Sequence, residues 1–172
     1  AQREAELVED GECIMLDSTS TSLMIAQELK KKKNLTVITN SVEVLIELSG
    51  SDGVQVISTG GILRDSSLSL VGRAAQEVLE RYNVDKAILS CKGIDMEKGV
   101  TDSHEMEADV KVCMRSCARR TILAADSSKL GSVYFMKVMD LEAGDVLVTD
   151  KVPSKEWKAY FEKKGVTVIT GE

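Results

Sequence analysis

Five consecutive hydroxyl side chains, residues 18–22, follow the apolar segment CIML and precede a segment with helical periodicity. Hydroxyl groups and backbone N–H groups at the N-terminus of a helix, aided by the helix dipole, form a good phosphate-binding site. An N-cap needs only one such hydroxyl, so we interpret residues 18–21 as a phosphate-binding turn. The simpler alternative is that Ser20, Thr21 or Ser22 caps the helix and the other hydroxyls face solvent.

Polar residues also follow the other apolar segments that resemble β-strands. Thr39 and Asn40 come directly after LTVI, residues 58–61 after VQVI, and the sequence DSSK, residues 126–129, after TILAA. In an open parallel sheet, ligands bind outside the carboxyl ends of the strands. The sequence therefore predicts one polar site at which several strand ends meet.

Two of these segments have explanations that require no ligand. The sequence NSVE resembles the start of a helix, with Asn40 as the N-cap and Glu43 at the third helical position. Gly60 and Gly61 also fit a tight turn, because glycine carries no Cβ and tolerates positive φ. Capping by the Asn40 amide would still leave Thr39 free to face the predicted cleft.

Two pairs of charged residues also have an explanation that requires no ligand. Asp126 and Lys129 either form a local ion pair at a strand end, or Lys129 neutralises a phosphate or contacts a sugar. Glu107 and Lys111 are four residues apart in the order that favours an exposed ion pair on a helix. Lys129 lies near the end of a predicted strand, so it is well placed to contact a ligand in the predicted site.

Short β-branched segments alternate with amphipathic segments along almost the whole chain, which predicts an α/β fold with a mostly parallel sheet. Most of the strand segments are continuously apolar, so helices are expected on both faces of the sheet. The predicted strands are 13–17, 35–39, 54–59, 86–90, 121–126, 145–150 and 166–170.

Helical spacing predicts helices over 72–82 and 104–119, and a last helix between Pro153 and Gly165. Residues 1–9 resemble the end of another helix. The apolar side chains expected to pack on the sheet or anchor these helices are Leu7, Val8, Ala75, Val78, Leu79, Tyr82, Met106, Val110, Cys113, Met114, Cys117, Trp157, Tyr160 and Phe161.

Composition excludes several classes of function. No apolar run approaches the ~20 residues that span a bilayer, and the acidic N-terminal segment resembles neither a signal peptide nor a transit peptide, so we expect a cytoplasmic protein. A net charge of −6 argues against DNA binding by this chain alone. The four cysteines include no CxxC pair, and the single histidine is His104, so we expect reduced thiols and no metal site.

The segments LDSTST, LTVITNS, STGGILR, EADVKVCM and ILAADSSKLG occur in an order that resembles the effector domain of the DeoR family of bacterial transcriptional regulators, from about residue 11 to residue 150. The resemblance implies a Rossmann-like fold similar to ribose-5-phosphate isomerase, a phosphorylated sugar as effector, and no cofactor. It also implies a homo-oligomer that binds operator DNA through an N-terminal helix-turn-helix domain. Residues 1–10 would then be the end of a connecting helix, and residues 11–172 the effector domain.

Specific contacts are also implied by the resemblance rather than by spacing. The expected phosphate contacts are Ser18, Thr19, Ser20 and Thr21. The expected sugar contacts are Asp17, Thr39, Asn40, Gly60, Gly61, Asp85, Lys111, Asp126 and Lys129.

One departure from the related isomerases separates a sensor from an enzyme. The isomerases carry an acidic motif, Asp-Gly-Ala-Asp, where this chain reads LSCK. Leu89 and Lys92 cannot act as a general base, so we predict no catalytic residues. The alternatives are a sugar-phosphate isomerase or deaminase that uses Asp85, Glu105 or Glu107, and a scaffold whose cleft has lost its ligand.

Overall fold

A computed structural model of the chain describes residues 1–171. Its strands, in chain order, are β1 (Cys13–Leu16), β2 (Leu35–Thr39), β3 (Val54–Ser58), β4 (Ile62–Arg64), β5 (Ser69–Val71), β6 (Val84–Ser90), β7 (Gly93–Asp95), β8 (Gly99–Asp102), β9 (Ala118–Ala124), β10 (Met136–Met139), β11 (Val146–Thr149) and β12 (Thr167–Thr170). Seven of them form a parallel sheet in the order β12-β11-β9-β6-β1-β2-β3. These seven correspond to the seven predicted strands.

Helices cover both faces of this sheet, as the apolar strands predicted. They are α1 (Gln2–Glu6), α2 (Ser20–Leu29), α3 (Val42–Leu48), α4 (Arg73–Leu79), α5 (Glu105–Cys117) and α6 (Lys155–Lys164). Ile14 and Leu16 of β1 pack in one core with α1, α2 and α3, whereas Met15 packs in the other with α4, α5 and α6. Successive strand residues point to opposite faces, so one apolar strand supplies both cores.

The order of the strands creates a crevice at the centre of the sheet. From β1 the chain proceeds outward to β2 and β3, and then returns to place β6 on the other side of β1. Leu16, at the end of β1, is in register with Thr39 of β2 and Ile88 of β6. The carboxyl ends of β1 and β6 therefore meet where the direction of winding reverses, which is where open α/β sheets bind ligands.

The sequence did not predict five short strands outside the main sheet. β4 and β5 form an antiparallel hairpin, and β7, β8 and β10 form a second antiparallel sheet. Each has only three or four residues. Such segments are too short for a periodic pattern to stand out from a loop.

Two predicted packing arrangements need correction. In α6 only Phe161 is fully buried, and Trp157 and Tyr160 are partly buried around it. The reason is that α6 packs near β12, an edge strand of the sheet, so one side of the helix remains open. At the N-terminus the buried apolar residues are Ala5 and Val8, whereas Leu7 is only partly buried.

The apolar stripe of α5 packs as predicted, with Val110, Cys113 and Met114 buried and Met106 and Cys117 at its margin. All four cysteines are free thiols. Within residues 1–171, no helix has the length and hydropathy needed to cross a membrane, and no three His, Cys, Asp or Glu side chains are grouped as metal ligands would be.

Candidate ligand-binding site

A cavity of about 580 Å³ lies in the crevice between the ends of β1 and β6. Six parts of the chain line it: the β1–α2 connection, the start of α3 at Glu43, the β4–β5 hairpin, the end of β6, the β8–α5 region and the end of β9. All the side chains that line it are polar, charged or small, with no aromatic and no branched aliphatic residue among them. A ligand here would meet hydrogen-bonding groups over most of its surface.

The five hydroxyl groups before α2 divide into two sets. The Thr19 side chain caps α2 by accepting a hydrogen bond from the Ser22 N–H at 3.2 Å, and the Ser22 hydroxyl donates to Asp17. The cap is thus Thr19, and not Ser20, Thr21 or Ser22 as the simpler alternative held. Ser18, Ser20 and Thr21 line the cavity, and their hydroxyls have no partner within residues 1–171.

The floor of the cavity is part of a buried ionic cluster, in which Asp102 and Lys111 line the cavity and Asp17 lies behind Lys111 without lining it. The Lys111 ammonium lies 2.8 Å from Asp102 and 3.3 Å from Asp17, and it donates to the Ser90 carbonyl at 2.7 Å. Asp17 accepts a further hydrogen bond from the Ser90 N–H at 2.7 Å. All three charged side chains are at most 4% exposed. This cluster fixes the end of β1 against β6 and α5.

Lys111 is held in its charged form. Burial lowers the pKa of its ammonium, but the charges of Asp17 and Asp102 outweigh burial and raise the pKa above its usual value. Cys91, beside the cluster, behaves differently because burial raises the pKa of its thiol to about 12. The site therefore contains a permanent buried cation and a protonated thiol, and neither is suited to nucleophilic catalysis.

Glu107 and Lys111 do not form the ion pair that their spacing suggested, because each has other partners. One oxygen of Glu107 accepts hydrogen bonds from Ser67 at 2.5 Å and Ser69 at 2.6 Å, and it lies 3.1 Å from Arg64. Burial raises the pKa of the Glu107 carboxyl, but these three contacts together lower it below its ordinary value. Glu107 thus connects α5 to the β4–β5 hairpin.

Two lysines at the opening of the cavity have unused donors. Neither Lys92 nor Lys129 makes a side-chain hydrogen bond or ion pair within residues 1–171. The predicted local pair of Asp126 and Lys129 does not form, because Asp126 instead caps the 3₁₀ turn Ser127–Lys129 by accepting from the Ser128 N–H at 2.9 Å. This turn presents Lys129 to the cavity.

Thr39 and Asn40 lie beside the cavity but do not line it. Thr39 is fully buried and accepts from the Ser41 N–H at 3.1 Å, and the Asn40 amide donates to the Leu70 carbonyl at 3.1 Å. Ser41, not Asn40, caps α3 through the Val44 N–H. The Thr39 hydroxyl and the Asn40 side-chain nitrogen therefore hold the chain around the start of α3, whereas Asn40 Oδ1 is buried without a partner within residues 1–171.

Three other predicted contacts also lie outside the cavity. Gly60 and Gly61 form the tight β3–β4 turn with φ of +61° and +117°, and a Cβ on Gly61 would lie 2.5 Å from the Val71 carbonyl oxygen. Asp85 lies near the start of β6, at the opposite end of the sheet, where it accepts a hydrogen bond from the Cys13 N–H at 2.9 Å. The register of β1 and β6 keeps Asp85 away from the strand carboxyl ends.

The structure adds cavity residues that sequence reasoning missed, chiefly Arg64, Ser67 and Asp102, and it places Glu107, considered from sequence only as a partner of Lys111 or as a base of the enzyme alternative, in the lining. The position of Ser90 could have been predicted, since it directly follows the apolar segment AIL in the same way that Asp17 follows CIML. No sequence pattern predicted Asp102 or Arg64 at the site, because they belong to the short antiparallel strands.

The family described as "DeoR C terminal sensor domain" matches residues 1–151 of the chain. The chain belongs to this family. It is 44% identical to YulB of Bacillus subtilis, an uncharacterized HTH-type transcriptional regulator, over 95% of the chain and 64% of YulB. It is 35% identical to the transcriptional repressor GlcR of the same species over 98% of the chain and 64% of GlcR. The chain thus spans just under two thirds of the length of either relative.

The fold of this DeoR sensor domain is similar to that of ribose 5-phosphate isomerase A from Methanocaldococcus jannaschii, with a TM-score of 0.54 and 17% identity over 75% of the chain and 51% of the isomerase. It is also similar to eIF2B beta from Chaetomium thermophilum, with a TM-score of 0.52 and 16% identity over 78% of the chain and 39% of that protein. These similarities confirm the predicted Rossmann-like fold. The relatives are named as transcriptional regulators, which agrees with the prediction of a protein that is not an enzyme.

Proposed function

We propose that this sensor domain binds a phosphorylated sugar in the cavity between β1 and β6. The single observation that carries the proposal is the lining, in which hydroxyl, carboxylate and cationic groups surround about 580 Å³ without one aromatic or branched aliphatic side chain. Most small-molecule pockets are lined mainly by apolar side chains, and a nucleobase would need an apolar surface to pack against. A sugar phosphate offers hydrogen-bonding groups on every side.

The start of α2 is the phosphate-binding part of the proposed site. Ser18, Ser20 and Thr21 have unpartnered hydroxyls there, and α2 contributes the N–H groups and the dipole of a ten-residue helix. Lys129 and Lys92 add two cations that no carboxylate neutralises within residues 1–171. These groups suit a dianion, whereas the single cation of the buried cluster below them, Lys111, already contacts two carboxylates.

The proposal is of a sensor because the buried and half-buried carboxylates at the cavity are already engaged, and Glu43, which also lines the cavity, is exposed near the start of α3. A general base needs a free carboxylate within reach of the substrate proton. Asp17 and Asp102 share Lys111, and Glu107 accepts three contacts from the hairpin. Asp85, a candidate base in the enzyme alternative, lies at the other end of the sheet.

We further propose that effector binding controls operator DNA binding in the cytoplasm by a helix-turn-helix outside this sequence, joined through residues 1–10. The support is that the curated relatives are named HTH-type regulators and are longer than this chain.

Self-association is part of the proposal, because two-fold operators need at least a dimer. Val133, Tyr134 and Phe135 form an exposed apolar segment that suits an interface, with Phe135 83% exposed.

A melting screen across pentose and hexose phosphates tests the proposed ligand. A ligand at a hundred times its dissociation constant stabilises the folded protein by about 2.7 kcal/mol. We expect at least one sugar phosphate to raise the melting temperature, its unphosphorylated sugar to have little effect, and the sugar phosphate to be recovered unchanged. Formation of an isomerised or deaminated product would contradict the proposal and favour an enzyme.

A further inference from the structure

We propose that Arg64 contacts the sugar part of the effector, and that Glu107 is a positioning residue that holds Arg64 at the cavity wall. The inference rests on the proposed function, because it assigns residues to the part of the same site that is not occupied by phosphate. The sequence did not predict Arg64 at the site, and it suggested neither role nor partner of this kind for Glu107; both residues line the cavity on the side of the hairpin.

The two strands of the hairpin are attached to the domain in different ways. β5 is fixed to the segment after β2: the Leu70 N–H donates to the Asn40 carbonyl at 2.7 Å, and the Val42 N–H donates to the Leu68 carbonyl at 2.9 Å. β4 faces solvent, with Ile62 63% and Leu63 47% exposed. Arg64 ends β4 opposite Ser69 of β5, and the orientation of its guanidinium depends on contacts made by its own side chain.

Glu107 supplies the contact that fixes Arg64. One of its carboxylate oxygens lies 3.1 Å from Arg64 Nη1 and also accepts the hydroxyl protons of Ser67 and Ser69. Arg64 Nη1 donates in addition to Ser67 Oγ at 3.2 Å. A single charged atom therefore joins the end of β4, the hairpin turn and the start of β5 to α5.

The remaining donors of Arg64 are available to a ligand. Its Nε and Nη2 atoms have no partner within residues 1–171, and the side chain is 31% exposed in the cavity wall. A guanidinium presents parallel N–H groups that match two neighbouring oxygen atoms. Vicinal sugar oxygens offer that arrangement, and the phosphate end of the site is already supplied by the start of α2 and by Lys129.

Calorimetric titration of four proteins with three ligands separates the two ends of the site. The proteins are the parent chain, Glu107→Gln, Arg64→Gln and a control, Glu105→Gln, which alters an exposed glutamate of the same helix with no side-chain contact within residues 1–171. The ligands are inorganic phosphate, ribose 5-phosphate and glucose 6-phosphate. The loss of one hydrogen bond to a charged group weakens binding about tenfold or more.

We expect Glu107→Gln and Arg64→Gln to lose about tenfold in affinity for whichever sugar phosphate binds the parent, with affinity for inorganic phosphate changed less than about twofold. Glu105→Gln should match the parent with every ligand. Equal losses for inorganic phosphate and for the sugar phosphate would overturn the assignment, because Arg64 would then bind the phosphate. Unchanged affinity for the sugar phosphate would overturn it as well.

Amide hydrogen exchange without ligand tests the positioning role separately. Glu107→Gln should speed exchange over residues 65–69 about tenfold, whereas Glu105→Gln should not. Unchanged exchange would show that Glu107 does not hold the hairpin. If neither sugar phosphate binds the parent, the proposed function and the ligand contact of Arg64 both fail for these ligands, and the exchange data still decide the role of Glu107.

Discussion

The floor and the opening of the cavity contain similar residue types in opposite states. At the floor, Lys111 is buried and contacts two carboxylates and a carbonyl oxygen. At the opening, Lys129 is only partly buried and has no partner within residues 1–171. Family resemblance assigned both lysines to the ligand. Their surroundings indicate that Lys111 primarily holds the site together, whereas Lys129 is free to bind.

The hydroxyl groups before α2 show the same division. Thr19 and Ser22 are committed to the helix cap and to Asp17, and Ser18, Ser20 and Thr21 are uncommitted. Groups with satisfied hydrogen bonds contribute to stability, and groups without partners contribute to binding once a ligand arrives. Substitutions in the two sets should therefore separate stability from affinity.

The largest expected effect is that of Lys111→Met on stability. It leaves Asp17 and Asp102 buried with no cation between them, and breaking a buried ion pair in this way costs about 3–5 kcal/mol. Urea unfolding should show this loss. The matched change at the opening, Lys129→Met, should alter the free energy of unfolding by less than about 0.5 kcal/mol. Similar losses for both variants would remove the distinction between floor and opening.

The next effect is on affinity, from the double variant Ser20→Ala with Thr21→Val. It removes two unpartnered hydroxyls, and hydrogen bonds to a charged group contribute roughly 1.5–3 kcal/mol each, so sugar-phosphate affinity should fall at least about tenfold. Thermal unfolding without ligand should change little, because the cap of α2 is Thr19. An intact affinity in titration calorimetry would show that these hydroxyls belong only to a turn.

Thr19→Ala should have the complementary effect. Loss of the cap should destabilise the free protein by about 1 kcal/mol, as is typical for N-cap threonines. Urea unfolding in the absence of ligand measures this loss. A larger destabilisation by the Ser20 and Thr21 double variant than by Thr19→Ala would reverse the assignment of the two sets.

The smallest effect concerns the pH dependence of the Glu107 contacts. The pKa of Glu107 lies below its ordinary value, so its contribution to stability is complete above the ordinary glutamate pKa of about 4.3 and is lost as the pH falls through the lowered pKa. Parent and Glu107→Gln should differ by roughly 0.5–1 kcal/mol at pH 7 and converge once the pH falls below the lowered pKa of Glu107. A difference that does not depend on pH would contradict an ionised Glu107.

The sequence predicted the main sheet because each of its strands is a run of mostly apolar residues. It also located Asp17, residues 18–21 and residues 126–129, since a polar residue directly after a parallel strand must lie at the carboxyl edge. The same rule places Asp85 at the amino edge of the sheet, away from the cavity, because it precedes the apolar part of β6. Asp85 was expected to contact the sugar only because the family resemblance implied it.

The hairpin side of the site could not be predicted in this way. Arg64, Glu107 and Asp102 meet through short antiparallel strands and through one helix, and their proximity depends on pairings far apart in the chain. The spacing of Glu107 and Lys111 suggested a pair on an exposed helix face. Only the packing of α5 against both β6 and the hairpin shows that the two side chains serve different partners.

The central claim is that the opening of the cavity binds phosphate and the rest of the cavity binds sugar. The most direct test is calorimetric titration of the parent chain with a stabilising sugar phosphate and with the same sugar lacking phosphate. We predict saturable binding of the phosphorylated form and affinity at least about a hundredfold weaker for the free sugar, because several charge-assisted hydrogen bonds are lost. Equal affinity for the two forms would contradict the account.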